Sequence, residues 1–185
     1  MVIPRPRVLI GGAAAAVVLL VVVLLWWKPF DEHPDVPSCD SLAKALPSAA
    51  GGTWGISEPD TTHLTQSSTR CTLAFTSTDQ RFSGTTTVLL TGDTRPEQLR
   101  SEVQAAPCNG AAAPPAGEAD YVTSRACTEQ IGDNVRAAVI AAKHPRWTRI
   151  VVEVPTRPGT VEDAVTFSQN LARTVAHQCL TLPAE

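Results

Sequence analysis

The sequence predicts an α+β domain attached to a single N-terminal transmembrane helix. Residues 8–27 form an uncharged, apolar run, whereas the rest of the chain mixes polar and apolar residues. Beyond residue 38, segments with alternating apolar positions are followed by segments with helical spacing. This order is typical of an antiparallel sheet with helices packed on one face. We therefore expect one helix in the membrane and one α+β domain outside it.

The apolar run has the length and the ends of a permanent membrane anchor. Its 20 residues, 12 of them Val, Leu or Ile, span about 30 Å as a helix, the thickness of a bilayer's hydrocarbon core. The run ends in Trp26 and Trp27 and is followed by Lys28; these three are the membrane-interface residues, since aromatic rings and snorkelling cations lie at the headgroups. No small-residue cleavage site follows the run, as a signal peptide would require. We expect residues 8–27 to stay in the lipid bilayer.

Charge on either side of the run predicts its orientation. Arg5 and Arg7 precede it, while three acids lie among residues 28–38. The positive-inside rule then places residues 1–7 in the cytoplasm and the C-terminal domain outside the plasma membrane. The small-xxx-small pair Gly12 and Ala16 gives a weak signal for a homodimer through the span.

The charge of the outer part restricts its partners. Residues 28–185 contain 13 Lys and Arg and all 18 Asp and Glu, a net charge of −5. Neither nucleic acid nor anionic lipid is expected as a partner of the domain, because both require a basic face. Residues 28–38 hold three prolines and three acids, which is typical of an extended linker. Residues 39–185 have the length of a single domain.

The local patterns predict three helices and four strands. Ser38 should cap a short helix that buries Leu42, Ala45 and Leu46 and ends at Pro47. Thr94 should cap a second helix, with Pro96 and Glu97 in its first turn, Leu99, Val103 and Ala106 facing inward, and Pro107 at its end. The segment Asn109–Asp120 is rich in Ala, Pro and Gly and is expected to be a structureless, mobile loop. The remaining segments are strands at Cys71–Thr76, Thr85–Thr91, Val135–Ala142 and Arg149–Val154, and an amphipathic helix at Val161–Gln178.

Two pairs of short, similar segments suggest an internal repeat. Thr69-Arg70-Cys71-Thr72 resembles Ser124-Arg125-Ala126-Cys127-Thr128, and Thr94-Arg95-Pro96 recurs as Thr156-Arg157-Pro158. They indicate a duplicated ββα unit. The alternative is chance similarity in a chain rich in Thr and Ala, because motifs this short recur easily.

The cysteines predict disulfide bonds in an oxidising compartment. Five cysteines lie beyond the span and none forms a C-x-x-C pair, which favours disulfides over a zinc or thioredoxin-type site. The repeat and the short loop between Cys108 and Cys127 favour the pairs Cys108–Cys127 and Cys39–Cys71, leaving Cys179 as the odd cysteine. The alternative pairs are Cys71–Cys108 and Cys127–Cys179.

The sequence contains no recognisable catalytic motif. The histidines at positions 33, 63, 144 and 177 have no i, i+4 partner, and no H-E-x-x-H, G-x-S-x-G or Gly-rich phosphate loop occurs. Glu58, Asp60 and His63 form a local acid–histidine group and are interpreted as a solvated loop rather than a metal site. Trp54 and Trp147 are expected to pack in the core or at its rim. We therefore expect no catalytic residue, cofactor or metal.

Residues 39–108 resemble a loose group of actinobacterial membrane-anchored cell-envelope proteins of unknown function. Cys39-Asp40-Ser41-Leu42 and Ser68-Thr69-Arg70-Cys71-Thr72 carry the resemblance, although Leu73 stands where an aromatic residue often follows the Cys-Thr. The chain also lacks the lipid-attachment cysteine of the lipoproteins in this group. The resemblance implies a binding or assembly module that contacts a protein or envelope partner. The alternative is an anchored hydrolase or transferase acting on envelope material.

Overall fold

A computed structural model describes residues 35–58, 67–93, 95–113 and 120–183. These residues all belong to one compact unit, His33–Glu185. The predicted cytoplasmic tail, the span at residues 8–27 and its interface residues Trp26, Trp27 and Lys28 lie outside the described residues. Within the described ranges, no helix has both the length and the apolar character needed to cross a membrane.

The described residues form an α+β fold with a seven-stranded antiparallel sheet and three helices. The strand order in the sheet is β1-β2-β3-β7-β6-β5-β4. The elements are α1 (Cys39–Ala50), β1 (Thr53–Glu58), β2 (Ser68–Thr76), β3 (Ser83–Gly92), α2 (Pro96–Ala105), β4 (Ala111–Ala113), β5 (Thr123–Ile131), β6 (Asn134–Lys143), β7 (Arg146–Pro155) and α3 (Val161–Thr181).

Helices α1 and α3 cover one face of the sheet. Alternate residues of β2 point to this face because side chains in a strand alternate between its two sides; Cys71, Leu73 and Phe75 are all buried. They pack with α1, through Leu42 and Leu46, and with the buried side of α3. The amphipathic stripe predicted for α3 is the side that the helix buries, and the helix runs three residues beyond its predicted end at Gln178.

Helix α2 lies on the opposite face, so the expectation that all helices share one face is wrong. Leu99 and Val103 of α2 pack on Ile140 and Ala142 of β6 and on Trp147 of β7. The neighbouring residues Val139 and Ala141 belong to the core beneath α1 and α3. Strand β6 is therefore buried on both sides, which its unbroken apolar run Ala137–Ala142 reflects.

The two disulfides join the pairs that the sequence favoured. Cys39 at the start of α1 is bonded to Cys71 on β2, and Cys108 after α2 is bonded to Cys127 on β5. Cys179 is free and buried. The alternative pairs, Cys71–Cys108 and Cys127–Cys179, do not form.

The duplicated ββα unit is not found. Cys71 lies on β2 and is followed by one strand, β3, before the Thr-Arg-Pro motif. Cys127 lies on β5 and is followed by two strands, β6 and β7. The helices after the two motifs, α2 and α3, also pack on opposite faces. Chance similarity therefore explains the two pairs of similar segments better than duplication.

Three local predictions need correction. Ser38 does cap α1, accepting a hydrogen bond from the amide of Ser41, but the helix continues through Pro47 to Ala50. The N-cap position of α2 is Arg95, and Thr94 lies outside the described residues. The loop expected at Asn109–Asp120 begins with an ordered stretch, because Ala111–Ala113 pairs with β5 as the edge strand β4. Its residues 114–119 are not described.

Candidate functional site

The part of the sheet face that α2 leaves open holds a charged groove. It has a volume of about 250 Å³. The sheet supplies its floor, and the chain that follows α2 supplies one wall. Its lining consists of Arg70, Thr87, Pro107, Asn109, Glu129, Arg136, Ala138, Arg149, Val151 and Glu153.

The register of the sheet arranges the groove in rows. Glu129, Arg136 and Glu153 are direct cross-strand neighbours on β5, β6 and β7. The next row on the same face contains Cys127, Ala138 and Val151, and it continues to Thr87 on β3. A third row places Arg149 on β7 opposite Leu89 on β3, which is opposite Arg70 on β2. The floor between the charged rows is thus made of small or branched side chains.

Arg136 holds both glutamates of the first row. Its Nε and Nη2 donate to Oε1 of Glu153 at 2.7 and 2.6 Å, and its Nη1 donates to Oε1 of Glu129 at 3.1 Å. The hydrogen bond to Glu153 raises the pKa of Arg136, and the bond to Glu129 adds to this against the opposing effect of burial. With two carboxylates on one guanidinium, this end of the groove carries a formal charge of −1.

The opposite end of the groove is positive. Burial lowers the pKa of Arg149, and the nearby cations Arg136 and Arg70 lower it further. Within the described part of the chain, neither Arg70 nor Arg149 forms an ion pair. Arg149 donates one hydrogen bond there, from Nε to the carbonyl of Pro107 at 3.2 Å. Two guanidiniums therefore face the same space.

A disulfide and two arginines hold the wall formed by Pro107–Asn109. Cys108 is bonded to Cys127, with the two Cα atoms 5.7 Å apart, and this bond rests on Ala138 and Val151. Arg149 binds the carbonyl of Pro107. Arg125 donates from Nη1 to the carbonyl of Gln104 at 2.7 Å, at the C-terminal end of α2, where cations are stabilised by the helix dipole. These contacts hold the wall against α2 and the sheet.

A second depression, of about 410 Å³, lies on the other side of this disulfide. It is lined by small residues of β4 and β5 and by Arg125. Because the Arg125 guanidinium is already hydrogen-bonded to α2, this depression offers fewer groups to a ligand than the charged groove.

The residues considered as sites from the sequence mostly have packing roles. Trp147 is buried beneath α2, and Trp54 packs on Phe75 with ring centroids 5.3 Å apart while its Nε1 donates to the Gly51 carbonyl. His144 is exposed at the β6–β7 turn, and His177 lies in the last turns of α3. Asp60, His63 and the side chain of Glu58 are outside the described residues. In the ranges that the structure covers, no cluster of His, Cys, Asp and Glu could hold a metal ion.

The groove residues were not expected as a site from the sequence. The feature of the sequence that marks them is local: Arg70, Arg136 and Arg149 occupy polar positions in strands where polar and apolar residues alternate. Arg70 comes close to the other two arginines because β3 pairs with β7, for example Thr87 with Val151. Local sequence patterns do not specify this strand pairing.

No protein-family model, curated protein or solved structure matches the chain. The resemblance of residues 39–108 to actinobacterial envelope proteins stays a prediction.

Proposed function

We propose that this protein is a membrane-anchored binding module of the cell envelope, which takes its ligand in the charged groove. Residues 8–27 form its single transmembrane helix, residues 1–7 lie in the cytoplasm, and the α+β domain lies outside. The run of apolar residues with Arg5 and Arg7 before it supports this orientation. The two disulfides fit an oxidising compartment.

The groove itself carries the functional part of the proposal. Helices α1 and α3 cover one face of the sheet, while α2 covers only part of the other. The remaining surface presents arginines that keep their charge at neutral pH and donate up to five N–H groups each. Its two glutamates are held by Arg136. These groups recognise a ligand by charge and hydrogen bonds, which favours binding over catalysis.

Site-specific photocrosslinking tests this function. A photoreactive residue at Asn109, on the rim of the groove, should yield a discrete adduct in cells that express the full chain. The matched control is the same residue at Asn170, which is exposed on α3 at the other face of the sheet. Adducts from both positions, or from neither, would show that the groove is not the binding surface.

A further inference from the structure

The two ends of the groove differ in charge. Arg149 and Glu153 lie four residues apart on β7, so their Cα atoms are separated by about 13 Å in an extended strand. Glu153 is bound to Arg136, and Arg149 donates from Nε to the carbonyl of Pro107. The sheet thus separates a formally negative group, Glu129–Arg136–Glu153, from two cations.

The two cations lie close enough to act on one ligand group. Arg149 and Arg70 lie on either side of Leu89 in the sheet register, which separates their Cα atoms by about 10 Å at the usual strand spacing. Both side chains line the same groove. Their combined charge of +2 remains uncompensated by any ion pair within the described residues.

We propose that Arg70 and Arg149 together bind the phosphate of a small phosphate monoester that carries hydroxyl groups. This inference rests on the groove being the binding surface proposed above. A phosphate monoester carries a charge of about −1.5 to −2 near neutral pH and has three strong acceptor oxygens. One phosphate can accept paired hydrogen bonds from two guanidinium groups at once, whereas a carboxylate has only one charge and two oxygens.

The rest of the ligand is inferred from the rest of the groove. Glu129 and Glu153 accept hydrogen bonds, and Thr87 supplies a hydroxyl on the floor. These groups match a body with hydroxyl donors. At about 30 Å³ per liquid water molecule, the volume of about 250 Å³ holds a phosphate and a few attached atoms. A phosphorylated polyol fits this description, either free or as the headgroup of a lipid.

Titration calorimetry with the full chain in maltoside micelles tests the proposal at a fixed, low salt concentration. The soluble probe is glycerol phosphate, and the lipid probe is 1-hexanoyl lysophosphatidic acid, which keeps both the phosphate monoester and a free hydroxyl. Glycerol and acetate serve as comparators without a phosphate. We expect both phosphate probes to bind and glycerol and acetate to bind at least tenfold more weakly. Tighter binding of the lipid probe would identify a lipid headgroup as the source, and equal binding would identify the phosphate group alone as sufficient.

Two variants and one control locate the phosphate. Arg70→Gln changes an exposed side chain and should weaken binding at least tenfold without altering the unfolding transition. Arg149→Lys keeps the positive charge but loses the paired N–H donors of the guanidinium, and it should weaken binding severalfold. Arg157→Gln, an exposed arginine between β7 and α3, should leave the affinity unchanged.

Three results would overturn the inference: no binding of either phosphate probe, acetate binding as tightly as glycerol phosphate, or equal effects of Arg70→Gln and Arg157→Gln. The photocrosslink at Asn109 is an independent measurement. A crosslink without phosphate binding would reject the phosphate but keep the binding module. Loss of the crosslink would reject the module itself.

Discussion

Two threonines on the covered face of the sheet differ in how their buried hydroxyls are bonded. The side chains of Thr86 and Thr148 are both fully buried. Thr148 donates its hydroxyl to the carbonyl of Leu89 at 2.9 Å. The Thr86 hydroxyl has no hydrogen-bond partner among the described residues. Burying an unbonded hydroxyl costs free energy, whereas a bonded one is stabilising.

Replacing each threonine with valine should therefore change stability in opposite directions. We expect Thr86→Val to raise the free energy of unfolding by about 1 kcal/mol, because it removes an unbonded polar group at nearly constant volume. Thr148→Val should lower it by about 1–2 kcal/mol. Urea unfolding of the two variants measures both changes. Equal effects would show that Thr86 has a bonding partner.

Cys179 should be chemically inert in the folded chain. Burial raises the pKa of its thiol to about 12, although a hydrogen bond with Thr148 and the charge of Arg146 oppose this effect. Because the thiolate is the reactive form, alkylation by iodoacetamide at pH 9 should be at least 100-fold slower in the folded chain than in urea. Mass spectrometry after timed quenching measures both rates. Comparable rates would place Cys179 at the surface.

The same shift gives stability a dependence on alkaline pH. The unfolded thiol loses its proton near pH 9, the ordinary value for this group, while the folded thiol keeps its proton up to about pH 12. Below about pH 9 both states are protonated and the contribution of Cys179 is constant. Between these values the unfolded state binds fewer protons, so stability falls as pH rises. Cys179→Ala should have a shallower decline over this range.

At the scale of the elements, the short edge strand β4 depends on a glycine. Gly110, just before β4, has φ of +92°, and a Cβ built on it would lie 2.3 Å from the carbonyl oxygen of Thr128 on β5. Gly132, in the β5–β6 turn, also has positive φ, at +57°, but a Cβ added to it would meet no atom within 4 Å. A comparison of the two positions therefore distinguishes the free-energy cost of a left-handed backbone conformation from the cost of a steric clash.

Alanine at these two positions should have unequal effects. Gly132→Ala should destabilise the protein by roughly 1–2 kcal/mol, the cost of a left-handed conformation for a residue with a Cβ. Gly110→Ala bears that cost and also forces β4 away from β5, so its loss should exceed that of Gly132→Ala by at least about 1 kcal/mol. Thermal unfolding compares the two. Equal losses would mean that β4 contributes no stability.

The elements that the sequence predicted well have at least one apolar face. The alternation of Cys71, Leu73 and Phe75 identified β2, and the stripe of α3 identified its buried side, because burial selects apolar residues at the period of the element. Strands β1, β4 and β5 were not among the four predicted strands. Strands β1 and β4 are edge strands held by backbone pairing with a neighbour, and their sequences, TWGISE and AAA, lack a clear alternation. The sequence of β5, TSRACTEQI, is polar at most positions and lacks one as well.

The position of α2 and the groove could not be read from local patterns. Amphipathicity shows which side of a helix is apolar, but not which face of a sheet that side meets. The groove requires β3 beside β7, which brings Thr85 next to Glu153, although they are far apart in the chain. The pair Cys108–Cys127 was accessible because only a short connection separates the two cysteines. The pair Cys39–Cys71 was inferred from an internal repeat that the described residues do not form, so its prediction was correct for a reason that the structure does not support.

For the whole molecule, the proposed anchor at residues 8–27 gives a direct topological prediction. The unprocessed chain should remain in the membrane pellet after carbonate washing, because the 20-residue apolar run has the length of a bilayer core. Protease added to the outside of intact cells should degrade the C-terminal domain. A tag at the N-terminus should stay protected. A mature protein that begins between Lys28 and Cys39 would contradict the uncleaved anchor.

The bond between Cys39 and Cys71 also determines how the domain bears mechanical load. The chain enters the described fold at Asp35, whose carbonyl accepts a hydrogen bond from the buried Arg146, and reaches Cys39 four residues later. A force applied to the chain on the N-terminal side of Asp35 should break that hydrogen bond first. The force is then carried by the disulfide, which joins Cys39 to β2. Helix α1 and the core are spared, because the force enters the sheet at Cys71. Arg70, the adjacent residue, lines the groove, so the disulfide connects the N-terminal end of the described fold covalently to a strand that lines the groove.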